Sequence, residues 1–510
     1  MFASILSSTG ARAYFIGIKG TGMCALAELL HAGGLRVSGS DCADVFYTDA
    51  ILKELGIPYF ESFDSGHITD NIDLVIHSAA YSFETNPEMA EARRLGLPLV
   101  KYTDALGAYS TLFDSSGIAG VHGKTTTTAL CGALVKGINL PARVLVGSAV
   151  SAFGRVSAMQ RETAGARSTL INGDRYFIAE TCEYRRHFLS FCPKRIVLTS
   201  VESDHQDYYP TYEAIRDAFL EYGRKLPSGG ELIYCADDAG AAELAATLDA
   251  EKRGIRLVPY GFKAEGDFRI SAYRVADERT LMRLAGFSGG ETVGSTAEIA
   301  LRVPGRHTAL NAAAALALCS SLINAEGGAK GGWTNEAWNA ALRALDEFRG
   351  SKRRSEIIGE AGGILFMDDY GHHPTAIQIT LEGLREFYPK RRIVVSFMSH
   401  TYTRTAALLD RFAASLTGAD IVFLHKIYAS AREVYEGGVN GKTLFERTQA
   451  LFPPEKCHNV YYIEEYAAAV ESLKAILRPA DLFLTLGAGD NWKLGQTLFT
   501  YYQQRQKPCL

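Results

Sequence analysis

Short apolar runs rich in β-branched and aromatic residues alternate with amphipathic stretches along nearly the whole chain. Runs of four to six such residues, bounded by turn residues, predict strands buried on both faces. They fall at Ala13 to Ile18, Leu74 to Ser78, Tyr176 to Ala179, Arg195 to Thr199, Arg392 to Phe397, Ile421 to Leu424 and Asp481 to Thr485. Strands separated by helical patterns predict an α/β fold with largely parallel sheets. The longest uncharged stretch, Thr308 to Ala325, is alanine-rich but broken by Asn311, Ser320, Ser321 and Asn324, which suits a buried helix better than a membrane span. The Gly-rich interval Gly286 to Thr296 reads as a hairpin or loop, and Ala325 to Trp333 as a surface turn.

Two glycine turns interrupt this pattern where a strand gives way to a helix. Gly120-Val121-His122-Gly123-Lys124-Thr125-Thr126 opens an apolar helical stretch. Glycines let a phosphate approach backbone N–H groups, a helix N-terminus carries partial positive charge, and a hydroxyl such as that of Thr125 can reach Mg²⁺. ATP is therefore the leading cofactor, although Ile118 stands where the strict pattern has glycine. The second turn, Lys19-Gly20-Thr21-Gly22-Met23, follows the first strand and precedes a helical pattern through Leu30. About nineteen residues on, Val37 to Ser40 leads into Asp41, where a Rossmann-like unit places a carboxylate for ribose hydroxyls. Taken alone, this turn fits NAD as readily as any other nucleotide.

The chain of 510 residues is too long for one core and predicts three domains, with boundaries near residues 112 and 346. Its net charge of −4 and the lack of a basic run give no reason to expect nucleic acid. No cationic leader precedes an apolar core at Met1 to Leu6, so no secretory signal is expected. Nine scattered cysteines with no C-x-x-C suit reduced core thiols in a cytoplasmic protein. Acids and an imidazole leave the ends of two successive strands, at Glu180-Thr181-Cys182-Glu183 and Asp204-His205-Gln206-Asp207. Carboxylate and imidazole can hold Mg²⁺ or Mn²⁺ when phosphate oxygens complete the shell; the bland alternative has Glu180 and Asp204 capping helices and His205 packing passively. The pair His372-His373 beside Asp368-Asp369 lacks zinc-ligand spacing, and hydrogen bonds within a turn account for it. His31, His187, His425 and His458 are read as structural or exposed.

The order of these segments, continued by Pro304-Gly305-Arg306-His307, Asp368-Asp369-Tyr370-Gly371-His372-His373-Pro374 and Gly487-Ala488-Gly489-Asp490, resembles the Mur ligases, ATP-dependent amide-forming enzymes of peptidoglycan precursor synthesis. Within that family the motifs are most similar to the alanine-adding group. The resemblance implies a Rossmann-like domain 1–112 that binds a UDP-sugar, a central P-loop-type domain 113–346 that binds ATP, and a Rossmann-like domain 347–510 that binds the amino acid. It implies Gly20, Thr21 and Gly22 at the diphosphate, and Asp41 and Ser78 toward the nucleoside. For ATP it implies Gly120, Gly123, Lys124, Thr125 and Thr126 at the phosphates, His307 and Asn311 at the adenine, and Arg354 and Asp369 at ribose and phosphate. Thr125, Glu180 and His205 would hold Mg²⁺ or Mn²⁺, with Lys124, Glu180 and His205 as the catalytic set. Tyr370, His372, His400 and Arg404 would form the amino-acid pocket. The substrates implied are UDP-N-acetylmuramate and L-alanine, acted on in the cytoplasm by a monomer or homodimer that closes its third domain during turnover and uses neither membrane nor nucleic acid.

Four positions depart from the family's pattern. Val121 replaces a Thr, Ser200 an Asn, Thr308 an Asn, and Thr401 the Arg that follows His400 in alanine ligases. The last bears on the amino-acid carboxylate, for which Arg404 remains available. The competing readings are a recycling ligase that attaches a ready-made tripeptide to the same nucleotide sugar, a non-catalytic regulator that senses UDP-sugars and ATP, and, more distantly, an NAD oxidoreductase.

Overall fold

The apolar runs become strands packed into four sheets in a computed structural model that describes residues 2–153, 166–206, 208–286, 298–327, 332–429, 433, 435 and 437–506. The first sheet contains β1 (Arg12–Ile16), β2 (Arg36–Ser40), β3 (Tyr59–Phe60), β4 (Leu74–His77) and β5 (Leu99–Lys101), in the order β3-β2-β1-β4-β5 and parallel throughout. Phe15 and Ile16 are fully buried because helices cover both faces. The strand order reverses beside β1, which opens a crevice at the carboxyl ends of β1 and β4.

The second sheet contains β6 (Asp114–Ala119), β7 (Ala142–Val150), β8 (Arg167–Ile171), β9 (Tyr176–Glu180), β10 (Arg195–Leu198), β11 (Glu231–Cys235) and β12 (Arg256–Tyr260). Its order is β12-β11-β10-β6-β9-β7-β8, with β8 alone antiparallel to its neighbour. A short antiparallel sheet of β13 (Ile270–Ala276), β14 (Arg279–Leu284) and β15 (Ile299–Leu301) follows. The helix Arg306–Gly327 is apolar for most of its length and packs inside the central core, with 72% of its most apolar stretch buried.

The last sheet contains β16 (Glu356–Ala361), β17 (Ile364–Asp369), β18 (Arg392–Met398), β19 (Ile421–Leu424), β20 (Val460–Tyr462) and β21 (Asp481–Gly487). They are ordered β16-β17-β21-β18-β19-β20, with only the edge strand β16 antiparallel.

Close backbone approaches join the three parts. A Cβ at Gly107 would lie 2.2 Å from the carbonyl oxygen of Ser190, and one at Gly383 would lie 2.7 Å from Gly305 Cα. Arg143 Nη1 donates to Leu29 O at 3.1 Å and to Tyr109 Oη at 2.6 Å, tying the second sheet to the first part. Lys352 N donates to Ala149 O at 2.9 Å where the third part begins.

Two expectations need correction. The turn placed at Ala325 to Trp333 starts later, because the helix continues through Gly327; residues 328–331 lie outside the described residues, as does 287–297, most of the Gly-rich interval. Of the cysteines, Cys24, Cys131, Cys235 and Cys319 are core thiols, but Cys182 and Cys192 are exposed. Cys509 lies outside the described residues.

Candidate active site

β6 ends at Ala119, and the chain turns through Gly120 (φ +135°) to Gly123 (φ +82°), the N-cap of the helix Lys124–Gly137. A Cβ at 120 would meet Thr199 Oγ1 at 2.1 Å, and one at 123 would meet Asn311 Oδ1 at 2.8 Å. Both turns therefore require glycine. Ile118 is a fully buried residue of β6, so the loop starts after the position where the strict pattern places its first glycine. Lys124 Nζ donates to Gly120 O at 2.5 Å and to Glu183 Oε2 at 2.8 Å. Burial opposes its charge, but Glu183, Cys182 and Glu180 outweigh burial and hold the ammonium's pKa above its usual value. Glu183 answers in kind: burial would raise its pKa, and Lys124 and His205 bring it below the usual carboxylate value.

β9 and β10 flank β6, so their carboxyl ends deliver side chains to both sides of the loop. Thr125 Oγ1 donates to Glu180 Oε1 at 3.0 Å, and Glu180 Oε2 accepts Gly147 N–H at 2.9 Å. His205 has φ +55°, and its Nε2 lies 3.4 Å from Glu183 Oε1. Among the described residues its buried Nδ1 has no partner. One hydroxyl, two carboxylates and an imidazole with an unused nitrogen fit a hard divalent cation such as Mg²⁺ or Mn²⁺, which favours oxygen donors.

The third part faces this loop across a cleft of about 440 Å³. Asp369, at the end of β17, accepts Ser355 N–H at 2.6 Å and Gly371 N–H at 2.7 Å, which fixes the turn carrying Tyr370 to His373. Arg354 lies 5.0 Å from the centre of the Tyr370 ring, a cation–π contact. The four expected amino-acid residues form a chain. Tyr370 and His372 rings are 4.9 Å apart, His372 and His400 are 5.6 Å apart, and Arg404 Nη1 lies 3.2 Å from His400 Nδ1. Burial, with Arg404 nearby, pushes the His372 imidazolium well below its usual pKa.

Arg404 is not free to wait for a ligand. Its Nη2 and Nε donate to Asp204 Oδ1 at 2.8 and 3.1 Å, with both side chains 6% exposed. Burial would raise the Asp204 pKa, but Arg404 and neighbouring imidazoles hold it far below the carboxylate range.

His307 folds over Gly305, where a Cβ would lie 2.4 Å from its ring, and burial lowers its pKa. Asn311 Oδ1 accepts Thr127 Oγ1–H at 3.2 Å and so supports the glycine loop. Thr126 lines the cleft beside Lys124.

The residues expected at the UDP-sugar stand apart, around the crevice of the first sheet. Gly20, Thr21 and Gly22 begin the helix Thr21–Ala32. Tyr47 Oη donates to Thr21 Oγ1 at 3.1 Å and lies 3.2 Å from Ser168 Oγ of β8. Asp41 accepts N–H groups of Lys19 and Cys42 at 2.7 and 2.8 Å and Tyr81 O–H at 3.2 Å, so its carboxylate braces the turn. Ser78 Oγ accepts Ala80 N–H at 3.3 Å.

Three of the departures acquire local roles. Ser200 Oγ accepts His122 N–H at 2.9 Å, and Ser200 O accepts Val121 N–H at 3.1 Å, so the glycine loop is pinned to the end of β10. Thr308 Oγ1 donates to Pro304 O at 2.8 Å. Thr401 instead sits at φ +66°, a strained angle for a β-branched residue.

Sequence reasoning gave no site role to Glu183 and weighed Asp204 only as a helix cap, although both stand in the quoted motifs. It also missed a group formed by His122, Glu202 and His373, in which His122 Nε2 lies 2.5 Å from Glu202 Oε1 and the two imidazole rings are 5.2 Å apart. His373 Nδ1 also accepts Thr375 N–H at 3.4 Å, as the turn reading anticipated. The three residues come from different loops, and only an acid or imidazole at each strand end could have marked them.

Comparison with known proteins places this geometry. Three family models match in order: "Mur ligase family, catalytic domain" over residues 12–113, "Mur ligase middle domain" over 118–319 and "Mur ligase, glutamate ligase domain" over 353–489. A UDP-N-acetylmuramate–L-alanine ligase of Treponema pallidum is 53% identical over 496 residues, covering 97% of this chain and 98% of that protein. One of Borreliella afzelii is 36% identical, covering 94% and 97%. The crystal structure of a UDP-N-acetylmuramate-alanine ligase of Thermotoga maritima superposes with a TM-score of 0.74 at 25% identity, covering 97% of this chain and all of that one. A murein peptide ligase of Psychrobacter arcticus shares the fold at a TM-score of 0.64 and 21% identity, covering 98% and 100%. With all three family models matched in sequence order and relatives aligned over nearly the full length, the chain belongs to the Mur ligase family.

Proposed function

We propose that this protein joins L-alanine to the carboxylate of UDP-N-acetylmuramate, using ATP and releasing ADP and phosphate, in peptidoglycan precursor synthesis. The observation that carries the reading is the convergence of Lys124, Glu180 and His205 from three adjacent strands on one cleft whose far wall holds Tyr370, His372, His400 and Arg404. The relatives that match over full length bear the name of that activity. Residues 1–112 serve the UDP-sugar, 113–346 ATP, and 347–510 the amino acid.

In the reaction the muramyl carboxylate attacks the γ-phosphorus. The new O–P bond forms as the bond to the β-bridging oxygen breaks, and ADP leaves. The neutral alanine nitrogen then attacks the acyl phosphate carbon, the tetrahedral adduct gives an N–H proton to the departing phosphate, and phosphate leaves with the C–O electron pair. The first step brings two anions together, so this chain's task is to offset their repulsion. The N-terminal N–H groups of the helix Lys124–Gly137 and the Lys124 ammonium do so at the phosphates, Lys124 exchanging a loop carbonyl for a phosphate oxygen. Thr125, Glu180 and His205 would hold Mg²⁺, which when bound neutralises charge on the β- and γ-phosphates. His307 and Asn311 flank the adenine, and Arg354 and Asp369 approach the ribose and phosphates. Enclosure between the central and third domains keeps water from the acyl phosphate.

The test is ADP release with UDP-N-acetylmuramate, Mg²⁺ and ATP, with L-alanine, glycine, L-serine or the tripeptide supplied separately and products identified by mass. Preference for L-alanine supports the reading. Preference for the tripeptide moves the function to recycling, and absence of turnover with retained nucleotide binding favours a regulator.

A further inference from the structure

A group of cations outside the ATP cleft has no role in the mechanism above. Lys101 ends β5, paired across the sheet with His77 of β4, which in turn pairs with Ile16 of β1. It therefore stands on the rim of the crevice that holds the glycine turn Lys19 to Met23. Its neighbour Tyr102 would touch a Cβ at Gly22 with its hydroxyl at 2.8 Å. Lys101 thus directly precedes a residue whose ring packs on the proposed diphosphate loop.

Across the gap, the segment Tyr184–Ser190 leaves the end of β9 with two successive residues in the left-handed region, Arg185 (φ +51°) and Arg186 (φ +58°). Such angles cost free energy in non-glycine residues and are held only where surrounding structure enforces them. The result brings His187 Nε2 to 3.5 Å from Lys101 Nζ. Burial, helped by Lys101 and Arg185, drives the His187 pKa down to about 4, so the ring is neutral and its nitrogen accepts the ammonium's proton. His77 is likewise held below its usual pKa by burial and Lys101, and its Nδ1 lies 3.0 Å from Ser78 O.

A neutral acceptor orients an ammonium without cancelling its charge, which a carboxylate in the same place would do. Among the described residues no carboxylate lies within ion-pair distance of Lys101 or Arg185, whereas Arg186 pairs with Glu221. The nearby acid Asp104 accepts Ser190 Oγ–H at 2.8 Å. We propose that Lys101, oriented by His187, forms an anion subsite for the nucleotide sugar, receiving either its diphosphate or its sugar carboxylate. His187, read from sequence as structural or exposed, becomes a positioning residue. The subsite rests on the reading that the chain binds an acidic UDP-sugar.

The test titrates UDP, UDP-N-acetylglucosamine and UDP-N-acetylmuramate into the full chain and into Lys101→Met, Lys101→Arg and His187→Leu. Lys101→Met should weaken UDP-N-acetylmuramate at least tenfold at low salt, with the ATP dissociation constant and melting temperature unchanged. Lys101→Arg should recover most of the loss, and His187→Leu should lose less than Lys101→Met because the ammonium remains. An equal loss for all three ligands assigns the diphosphate; a loss confined to UDP-N-acetylmuramate assigns the carboxylate. Binding of all three by Lys101→Met within twofold of wild type overturns the subsite. So does a loss that Lys101→Arg cannot repair and that comes with weaker ATP binding or a lower melting temperature. Failure of the wild type to bind UDP-N-acetylmuramate would instead overturn the functional reading.

Discussion

Replacing Arg404 by Met separates two accounts of that side chain. In the structure Arg404 crosses from the third domain to the central one and gives two N–H bonds, at 2.8 and 3.1 Å, to Asp204 Oδ1. Methionine keeps the aliphatic reach and deletes the charge. Asp204 would then keep the His205 N–H at 2.7 Å in surroundings where its side chain is 6% exposed and burial opposes its charge. Breaking one side of a buried pair costs about 3–5 kcal/mol. Because the pair joins two domains, the loss falls on their docking, and kcat/KM for L-alanine should drop by roughly 10² to 4 × 10³ at 1.4 kcal/mol per decade. Asp204→Asn in the same background removes the stranded charge, so the double variant should be less impaired than the two single losses sum to, with a coupling of at least ~1.5 kcal/mol. Steady-state kinetics on the four proteins, at saturating ATP and nucleotide sugar, measure this. Were Arg404→Met to raise only KM for L-alanine, with Asp204→Asn silent and the two effects additive, Arg404 would bind the amino-acid carboxylate directly and the docking argument would fail.

Other outcomes follow from single features. Lys124→Met should lower kcat/KM for ATP by at least ~10², since it removes a cation facing the phosphates and strands Glu183, which is 2% exposed; a smaller loss would remove Lys124 from phosphate binding. Thr401→Gly should raise stability by about 1 kcal/mol, as the relief of its +66° φ exceeds the added chain entropy of glycine, and a lower thermal midpoint would contradict it. His187, His373 and His425 are each held near pKa 4, chiefly by burial. Below their unfolded value of 6.5 the unfolded chain takes up protons that the folded chain refuses until about pH 4, so stability falls as pH drops through that window, at up to about 1.4 kcal/mol per pH unit per imidazole. Asp368, raised to about 6 chiefly by burial, opposes this in part because its folded form holds a proton that the unfolded form has lost above pH 3.8. Urea midpoints at pH 6.5 and 5 check the balance: His425→Gln should flatten the slope, and an unchanged slope would mean that His425 does not contribute.

The strands and both glycine turns were legible because their causes are local. A strand covered on both faces must be apolar along its length, as Phe15, Ile178 and Val197 are, and the loop after β6 needs glycine at 120 and 123, where φ is positive and a Cβ would meet Thr199 or Asn311, whereas a Cβ at Gly22 would meet the Tyr102 ring. Lys124, Glu180 and His205 were legible for a related reason, since a parallel sheet brings the residues after its strands to one rim. What a residue does on that rim depends on which group arrives opposite it, and that is not local. Arg404 and Asp204 are 200 positions apart, and nothing near either one announces the other. The resemblance suggested an arginine for a carboxylate substrate, whereas two side chains 6% exposed require each other, because neither charge can stay buried alone. The same reasoning separates His373, whose Nδ1 caps the helix Pro374–Phe387, from His187, which a strained turn carries to Lys101. Sequence alone reads both as bland imidazoles. Burial makes both neutral, and only the neighbour across the gap decides that one stabilises a helix end while the other meets the Lys101 ammonium and leaves it charged.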